Sequence, residues 1–298
     1  MVRQYKIHTN LDGTDDKVWD VTNGKVRFYQ PSNLGLQSTN NIWQSNGIGV
    51  MGTRSITQPQ IEFKLETFGE SLEENYRLMK DFINDILNQK FVTLEYQTEI
   101  FQVYADLALA DVTKTEGYGK NGTFSEKITF DIITKWYTYE NLTFDMVQNG
   151  KVLSGKSKIY GGTAPGYYKY VKGTSYTYYG ETNIERLSRW DIKDEIFSFM
   201  GILYPKLPKT PTGVGFLDDI GNEYTAIVFK TEQVQNYILI NTDVNDEIYQ
   251  GWNGTTSLNL FPVMDFERYR TRIIKKGQME LINLTKAEFK IKRKADFV

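Results

Sequence analysis

The chain has 298 residues, a length typical of about two domains, and its 35 basic and 37 acidic residues leave a formal net charge of −2. This balance does not fit a protein that coats nucleic acid through bulk charge. The absence of cysteine excludes disulfides, thiolate nucleophiles and cysteine-ligated metals. Histidine occurs once, at His8, which excludes every catalytic mechanism or metal site that needs two histidines. We therefore expect no cofactor and no metal.

The chain carries no recognisable targeting or membrane segment. Its first ten residues lack the apolar core of a signal peptide. Its most apolar stretch, residues 197–204, is far too short to cross a bilayer. We expect a protein without a membrane anchor that is made in a cytoplasm.

In the first half of the chain, short runs rich in β-branched and aromatic residues predict strands. These runs are residues 26–29, 61–65, 91–96 and 124–133. The first two are separated by residues 31–59, a polar stretch rich in Asn, Ser, Gly and Gln. A segment of that length is typical of a functional or extended arm rather than a plain loop.

Residues 71–88 predict the one clear helix. Ser71 and Glu74 form a capping box, in which the serine oxygen and the glutamate carboxylate each accept a bond from a free backbone amide. Acidic residues in the first turn suit the positive end of the helix dipole. The apolar residues at helical spacing are Leu72, Tyr76, Met79, Phe82, Ile83, Ile86 and Leu87. We expect this apolar stripe to pack on a sheet.

The composition shifts near residues 138–142, which suggests a domain boundary there. Alternation resumes at residues 224–229, 237–240 and 289–291 and predicts further strands. One helix and many short strands indicate a mainly β protein built from β-sandwiches. We place the two domains at residues 1–138 and 139–298.

Two surfaces stand out by composition in the second half. Residues 160–180 are interspersed with Gly, Pro and Thr, which favours a hairpin-like excursion, either packed on its own domain or exposed as a contact surface. Its seven tyrosines are Tyr160, Tyr167, Tyr168, Tyr170, Tyr176, Tyr178 and Tyr179. Residues 266–298 hold ten basic and four acidic residues, which indicates a solvated strand face or a contact with an acidic neighbour or a passing nucleic acid.

Three short motifs match known binding loops only as strings. Residues 150–157 match the phosphate-binding P-loop and residues 47–52 match the dinucleotide fingerprint, but both need a helix directly afterwards. Glycines and a proline follow the first motif, and a polar run ending in proline follows the second. Residues 243–247 resemble a calcium loop without its glycine and distal glutamate. We expect none of the three to bind its usual ligand.

Three long segments, residues 71–137, 176–205 and 259–284, carry a resemblance to a known family. Through them the whole chain resembles the distal tail proteins of siphophages that infect Gram-positive bacteria, especially those of lactococcal siphophage baseplates. The resemblance implies an N-terminal ring-forming β-sandwich with one helix. It also implies a C-terminal galectin-like β-sandwich with an extension over about residues 145–190. The last strands, about residues 266–298, are expected to pack back on the ring domain.

The resemblance further implies a structural, non-enzymatic hub at the tail tip of the virion, assembled in the host cytoplasm. The hub is a homo-hexamer that joins the tail tube protein to the tail-tip protein and holds trimers of receptor-binding protein. DNA passes only in transit through its central channel. Because the tyrosine-rich segment lies where the family's receptor-binding extension would be, its seven tyrosines are the predicted partner-binding residues, with Trp190 as a supporting core residue.

An alternative hypothesis is a carbohydrate-binding module that contacts the host cell-wall saccharide directly, with Trp252 or Trp190 stacking on the sugar. Sugar-binding galectins use a histidine and arginine set with a stacking tryptophan. This chain has no histidine beyond His8, so the galectin-like domain is expected to be structural.

Overall fold

The computed structural model divides the chain into two compact units, an N-terminal unit of Met1–Thr138 with Ala295–Val298 and a C-terminal unit of Tyr139–Lys294. Each unit has its own hydrophobic core. The residues described are 3–13, 15–35, 37–114, 123–145, 158–160, 176–178, 189–193, 195–205, 211–230, 236–244 and 246–295.

The N-terminal unit contains strands and one helix, α1. Their bounds are β1 (Gln4–His8), β2 (Val18–Asp20), β3 (Val26–Ser32), β4 (Gln37–Ser45), β5 (Ile48–Thr57), β6 (Ile61–Thr67), α1 (Leu72–Leu87), β7 (Val92–Gln97), β8 (Gln102–Thr113) and β9 (Ser125–Ile132). The strand β10 (Tyr137–Asp145) begins in this unit and continues in the next. The mainly β fold with one helix in this unit is confirmed.

Two antiparallel sheets of the N-terminal unit share the long strand β8. One sheet has the order β2-β1-β7-β8 and the other the order β3-β6-β9-β8. A register shift between Leu109 and Asp111 lies in the half of β8 that pairs with β9. The core is aromatic, with Phe28 stacked on Phe63 at a ring separation of 4.6 Å and Tyr5 edge-on to Phe63 at 5.5 Å. Such pairs add directional packing to the area that they bury.

Helix α1 begins at the predicted cap, with one difference in the capping box. The Glu74 amide donates to Ser71 Oγ at 3.1 Å, as expected. The Glu74 carboxylate accepts from the amide of Glu70 at 2.7 Å, one residue before the predicted partner. Phe82 and Ile86 pack into the core. The whole stripe does not pack on the sheet, because part of its apolar surface remains exposed.

The C-terminal unit is also built from strands, apart from a 3-10 turn at Phe261–Val263. Their bounds are β11 (Lys158–Tyr160), β12 (Tyr176–Tyr178), β13 (Arg189–Ile192), β14 (Ile196–Pro205), β15 (Thr212–Leu217), β16 (Glu223–Phe229), β17 (Tyr237–Asn241), β18 (Ile248–Asn253), β19 (Thr256–Asn259), β20 (Gly277–Ile282) and β21 (Leu284–Lys294).

Two larger sheets form the body of the C-terminal unit. Their strand orders are β19-β18-β17-β14-β21-β10 and β13-β20-β15-β16. Phe199 from the first sheet contacts Phe216 from the second across the shared core, at a ring separation of 5.9 Å. Strands β20 and β21 pair within the C-terminal unit. Ala295, directly after β21, belongs to the N-terminal unit and donates its amide to the Trp136 carbonyl at 2.8 Å. That the last strands pack back on the N-terminal domain stays a prediction.

Candidate partner-binding surfaces

The polar arm predicted at residues 31–59 contains an antiparallel hairpin of β4 and β5. Among the described strands, β4 and β5 pair only with each other. Every residue of β4 is exposed, and so are the residues of β5 whose side chains are described. An isolated two-stranded hairpin is marginally stable in water. We therefore expect the β4–β5 hairpin to be stabilised by contact with another surface.

The register of the hairpin gathers apolar side chains on each of its faces. Trp43 lies opposite Val50, and Ile48 follows on the same face, because side chains two residues apart point the same way. We call Trp43, Ile48 and Val50 the hairpin face; they are 70, 70 and 63% exposed. Ile42 and Met51 lie opposite each other on the other face. Exposed apolar clusters of this kind mark interaction sites.

The hairpin turn explains the glycine motif at residues 47–52. Asn46 and Gly47 form the two-residue turn with positive φ values of 49° and 79°. This is the Asn-Gly signature of a tight hairpin, in which glycine adopts a backbone conformation that side chains disfavour. Gly49 and Gly52 lie within β5, and no helix follows. The motif is therefore a turn and a strand rather than a dinucleotide site.

A second apolar surface lies on α1. Leu72, Tyr76 and Leu87 are 50, 63 and 62% exposed, and we call them the helix edge. They recur at helical spacing on one side of the helix, next to the buried line of Phe82 and Ile86. Part of the predicted apolar stripe therefore stays exposed, although the Tyr76 ring lies 6.4 Å from the ring of Phe124.

The predicted partner-binding tyrosines lie only partly among the described residues. Tyr160 is in β11, and Tyr176 and Tyr178 are in β12. The remaining four, Tyr167, Tyr168, Tyr170 and Tyr179, lie outside the described residues, as does the P-loop string. Strand β11 follows that string directly, where a phosphate site would need a helix.

The tyrosine-rich segment is not a hairpin at its base. Strands β11 and β12 pair in parallel, with Tyr160 opposite Tyr178 and Lys158 opposite Tyr176. The two strands of a hairpin would pair antiparallel. The predicted hairpin-like form is therefore wrong for these strands, while their role in partner binding stays a prediction.

The two tryptophans proposed to stack on a sugar, Trp190 and Trp252, lie in strands β13 and β18 of the C-terminal unit. Trp252 stacks on Tyr237 of the neighbouring strand, with ring centroids 6.1 Å apart and planes within 14°. A sugar would need an open face of that ring, and the protein covers one of the two. The backbone of Trp190 pairs with Met279 in the β13–β20 ladder.

The single histidine is bound on both sides of its ring. His8 Nδ1 lies 2.6 Å from an Asp16 carboxylate oxygen and Nε2 lies 2.8 Å from Glu95 Oε2. Lys6 Nζ donates to Glu95 Oε1 at 2.9 Å. Both ring nitrogens of His8 are thus engaged by carboxylate oxygens, and neither is open to act as a base on a substrate. The geometry therefore gives His8 a structural role.

Charged side chains in the basic tail region are paired within their own unit. The Arg268 guanidinium holds both carboxylate oxygens of Glu223, at 2.9 and 2.5 Å. Lys292 is buried against Asp243 at 2.9 Å, and Arg272 lies 3.0 Å from Glu247. The carboxylates of these last two pairs, Asp243 and Glu247, belong to residues 243–247, the segment that resembles a calcium loop. No group of three or more metal-ligating side chains forms among the described residues.

Comparison with known proteins assigns the chain to a family. The model of the distal tail protein N-terminal domain matches residues 4–133, and the model of the Dit C-terminal domain matches residues 135–298. The chain belongs to the distal tail protein family. It is 92% identical to the distal tail protein of Lactococcus phage p2 and 91% identical to that of Lactococcus phage SK1, each over the full length of both chains.

Solved structures of the family agree with this assignment. The chain matches, with a TM-score of 0.80 and full coverage of both chains, a 92% identical chain in the structure of the phage p2 baseplate in its activated conformation with Ca. It also matches the SPP1 Dit protein with a TM-score of 0.52 at 10% identity, covering 98% of this chain and 99% of that one. The second match shows that the fold persists where the sequence has diverged.

Membership of the distal tail protein family makes this chain a structural component of the virion tail tip and not an enzyme, as the sequence predicted. Within the described part of the chain, no helix is long and apolar enough to cross a membrane.

The two apolar surfaces of this distal tail protein were not predicted from the sequence. The signal for the hairpin face was present, because apolar residues flank Asn46 and Gly47 on both sides. The signal for the helix edge was the number of apolar residues along α1, which is larger than packing against one sheet requires. Neither surface could be called exposed before the fold was known.

Proposed function

We propose that this distal tail protein is the hub of a baseplate at the tail tip. In this proposal it forms a hexameric ring that joins the tail tube protein to the tail-tip protein and holds receptor-binding protein trimers. DNA passes through the central channel of the ring. The observation that carries the proposal is the β4–β5 hairpin, which exposes apolar side chains on both faces and pairs with no other described strand. The presence of the p2 relative in a baseplate supports it.

Ring formation requires complementary exposed surfaces on each subunit. A ring of identical subunits is held by head-to-tail contacts, so each subunit needs two different patches. The hairpin supplies one patch, which is too apolar and too weakly stabilised by its own strands to remain in water. This supports assembly through the N-terminal unit and leaves the C-terminal unit available for other partners.

The C-terminal unit is proposed to hold the receptor-binding protein through its tyrosine-rich extension, about residues 145–190. Its two larger sheets support a galectin-like sandwich. Tyrosine offers a large rigid contact area with a polar tip, which makes it a frequent anchor at protein interfaces. The proposed anchors are Tyr160, Tyr167, Tyr168, Tyr170, Tyr176, Tyr178 and Tyr179.

Passage of DNA does not require that this chain bind it. The pairing of Arg268, Arg272 and Lys292 with carboxylates of the C-terminal unit supports a basic tail region that does not hold DNA. Stable binding would need unpaired cations in register with the phosphates.

The capture of receptor-binding protein tests the role of the extension. We expect the triple variant Tyr167→Ser, Tyr168→Ser and Tyr170→Ser to lose capture of co-expressed receptor-binding protein, because aromatic anchors carry most of the binding energy in such contacts. Affinity purification followed by gel quantification gives the bound ratio. The mass of the variant assembly should equal that of the wild type.

The matched control is Tyr224→Ser, which removes a tyrosine of the same unit whose hydroxyl lies at the backbone of Lys275. This control variant should capture as much receptor-binding protein as the wild type. Full capture by the triple variant would contradict the assignment of the extension, and loss of capture together with a smaller assembly would place those tyrosines in the ring contact instead.

A further inference from the structure

Five asparagines of the chain are followed directly by glycine, and they are Asn23, Asn46, Asn121, Asn149 and Asn253. In such a pair the backbone nitrogen of the glycine can attack the side-chain amide of the asparagine, because glycine has no side chain to shield that nitrogen. The pairs at residues 23, 46 and 253 lie among the described residues, and all three asparagines are exposed. Their reactivity therefore depends on the backbone around each pair.

The pair of Asn23 and Gly24 is held by its own turn. The amide of Gly24 donates to the Asp20 carbonyl at 3.0 Å, and the amide of Asn23 donates to Asp20 Oδ1 at 2.9 Å. The turn is closed so tightly that a Cβ on Gly24 would lie 2.3 Å from the same carbonyl oxygen. The Gly24 nitrogen must give up its hydrogen bond before it can attack a side chain, which lowers its reactivity.

The pair of Asn46 and Gly47 is open, but its backbone conformation is unsuitable. Asn46 has a φ of 49° at the first position of the turn between β4 and β5. Attack closes a five-membered ring, so the Cβ of the asparagine and the next nitrogen must lie on the same side of the Cα–C bond. A residue in the left-handed conformation places these two atoms on nearly opposite sides of that bond.

The pair of Asn253 and Gly254 has neither restraint. Asn253 ends β18 and pairs with Thr256 across a two-residue turn. Its extended backbone brings the Gly254 nitrogen nearer to the side chain than the left-handed conformation would. In a two-residue turn the amide of the first turn residue lies outside the ladder. Gly254 has a φ of 63°, and a Cβ there would meet no atom within 4 Å, so the space beside this amide is open.

The β18–β19 hairpin also has the freedom to reach the reacting geometry. Strand β19 is at the end of its sheet, and among the described strands it pairs only with β18. Three of its four residues are exposed. Elements with few buried contacts open locally at a lower free energy than core strands do. Asn253 therefore lies where the backbone can rotate without unfolding the unit.

We propose that Asn253 is a site of spontaneous deamidation in the folded protein. The deprotonated backbone nitrogen of Gly254 attacks Cγ of Asn253, a nitrogen–carbon bond closes a succinimide ring, and the side-chain amide leaves as ammonia. Water then adds to one of the two ring carbonyls and opens the ring to aspartate or isoaspartate. The reaction consumes one water and releases one ammonia, and it needs no oxidant and no cofactor.

The product changes the edge of the sheet. Aspartate adds a negative charge next to Trp252, whose ring stacks on Tyr237. Isoaspartate adds a carbon to the main chain, because the chain then runs through the former side chain. The pairing of residue 253 with Thr256 cannot keep its register across that longer turn. We expect β19 to separate from β18 more readily as the protein ages.

Tryptic peptide mapping tests the site. Cleavage after lysine and arginine places each described Asn-Gly pair in a peptide of its own, residues 18–25, 28–54 and 231–268. The purified full chain is kept at mildly alkaline pH in water labelled with heavy oxygen, and samples taken over time are digested in ordinary water. The label marks the reaction that occurred before digestion, and fragment spectra locate it within each peptide.

The expected result is that Asn253 deamidates about tenfold faster than Asn23, which is the factor that one net hydrogen bond corresponds to. It should also react faster than Asn46. In concentrated guanidinium the three rates should converge, because the local conformations are lost. Equal rates at Asn253 and Asn23 in the folded chain would overturn the proposal, and so would an unchanged order of rates in guanidinium.

The matched control is Asn253→Gln, which keeps a side-chain amide but needs a larger ring for the same attack. We expect the peptide of residues 231–268 to lose its label uptake in this variant, while residues 28–54 react as in the wild type. Label uptake that continues unchanged in residues 231–268 would place the reaction at another asparagine and overturn the assignment to Asn253.

Discussion

At the scale of residues, Glu95 contacts both Lys6 and His8 inside the N-terminal unit. Burial acts to raise the pKa of Glu95, but hydrogen bonds from Lys6 and His8 and the charges of both outweigh burial and hold that pKa below its ordinary value. A carboxyl with a lower pKa in the folded protein stabilises the fold above the unfolded pKa, and this contribution is lost as the pH falls. The cluster therefore makes the fold sensitive to acid.

We expect Glu95→Gln to lower the free energy of unfolding by about 3 kcal/mol at pH 7, because it removes the counter-charge of Lys6 and one of the two carboxylates that contact His8. The difference from the wild type should shrink as the pH falls below 4.5, the ordinary value for glutamate, since the wild-type carboxyl then takes up a proton. Urea unfolding of both proteins at equal concentration, from pH 7 to pH 3.5, measures this difference.

The matched control for Glu95 is Glu66→Gln. Glu66 pairs with Lys64 at 2.6 Å, and their side chains are 21 and 42% exposed. We expect it to change the free energy of unfolding by less than about 1 kcal/mol at any pH, because exposed ion pairs contribute little. A loss for Glu95→Gln that is equal at both ends of the pH range would contradict the role given to its charge.

Residue-scale predictions succeeded where the signal is local. The cap at Ser71 was predictable because the serine and the Glu74 amide that donates to it lie only three residues apart at the start of the helix. The partners of His8 were not predictable, because Glu95 is 87 residues away in sequence and meets it only through the pairing of β1 with β7.

At the scale of elements, periodicity identified α1 and the strands that alternate. It also indicated an extended arm at residues 31–59, but it did not show that residues 37–57 form two strands. These strands have no buried face, so the apolar alternation that reveals an ordinary strand is weak there. The parallel pairing of β11 with β12 was likewise hidden, since three-residue strands carry too little pattern to fix their partners.

The β4–β5 hairpin gives a prediction that separates folding from assembly. We expect the double variant Trp43→Ser and Val50→Ser to reduce the assembly to single chains, because both side chains lie on the hairpin face. Its free energy of unfolding as a single chain should stay within about 0.5 kcal/mol of the value for wild-type single chains, since exposed side chains contribute little to folding. Light scattering gives the mass, and urea unfolding, with the wild type diluted until it dissociates, gives the stability.

The control for the hairpin variant is Ile220→Ser, which removes an 83% exposed apolar residue from the turn between β15 and β16. This variant should assemble like the wild type. If the hairpin variant keeps the full assembly mass, the hairpin is not the ring contact.

At the scale of the whole molecule, composition excluded many functions without naming one. The resemblance over long segments named the family, and the matches over the whole chain confirm that the chain is a distal tail protein. The contact surfaces could not be derived in this way, because exposure belongs to the folded chain. Trp43 and Phe82 are both large apolar residues in the sequence, yet one is 70% exposed and the other fully buried.

The central claim is that this distal tail protein forms a ring, and the mass of the wild-type assembly in solution tests it most directly. Light scattering on the purified protein should give about six times the 34.6 kDa chain mass. Negative-stain images of the same peak should show a six-fold ring with a central hole. A particle of one or two chains, or an open filament without a closed ring, would contradict the account.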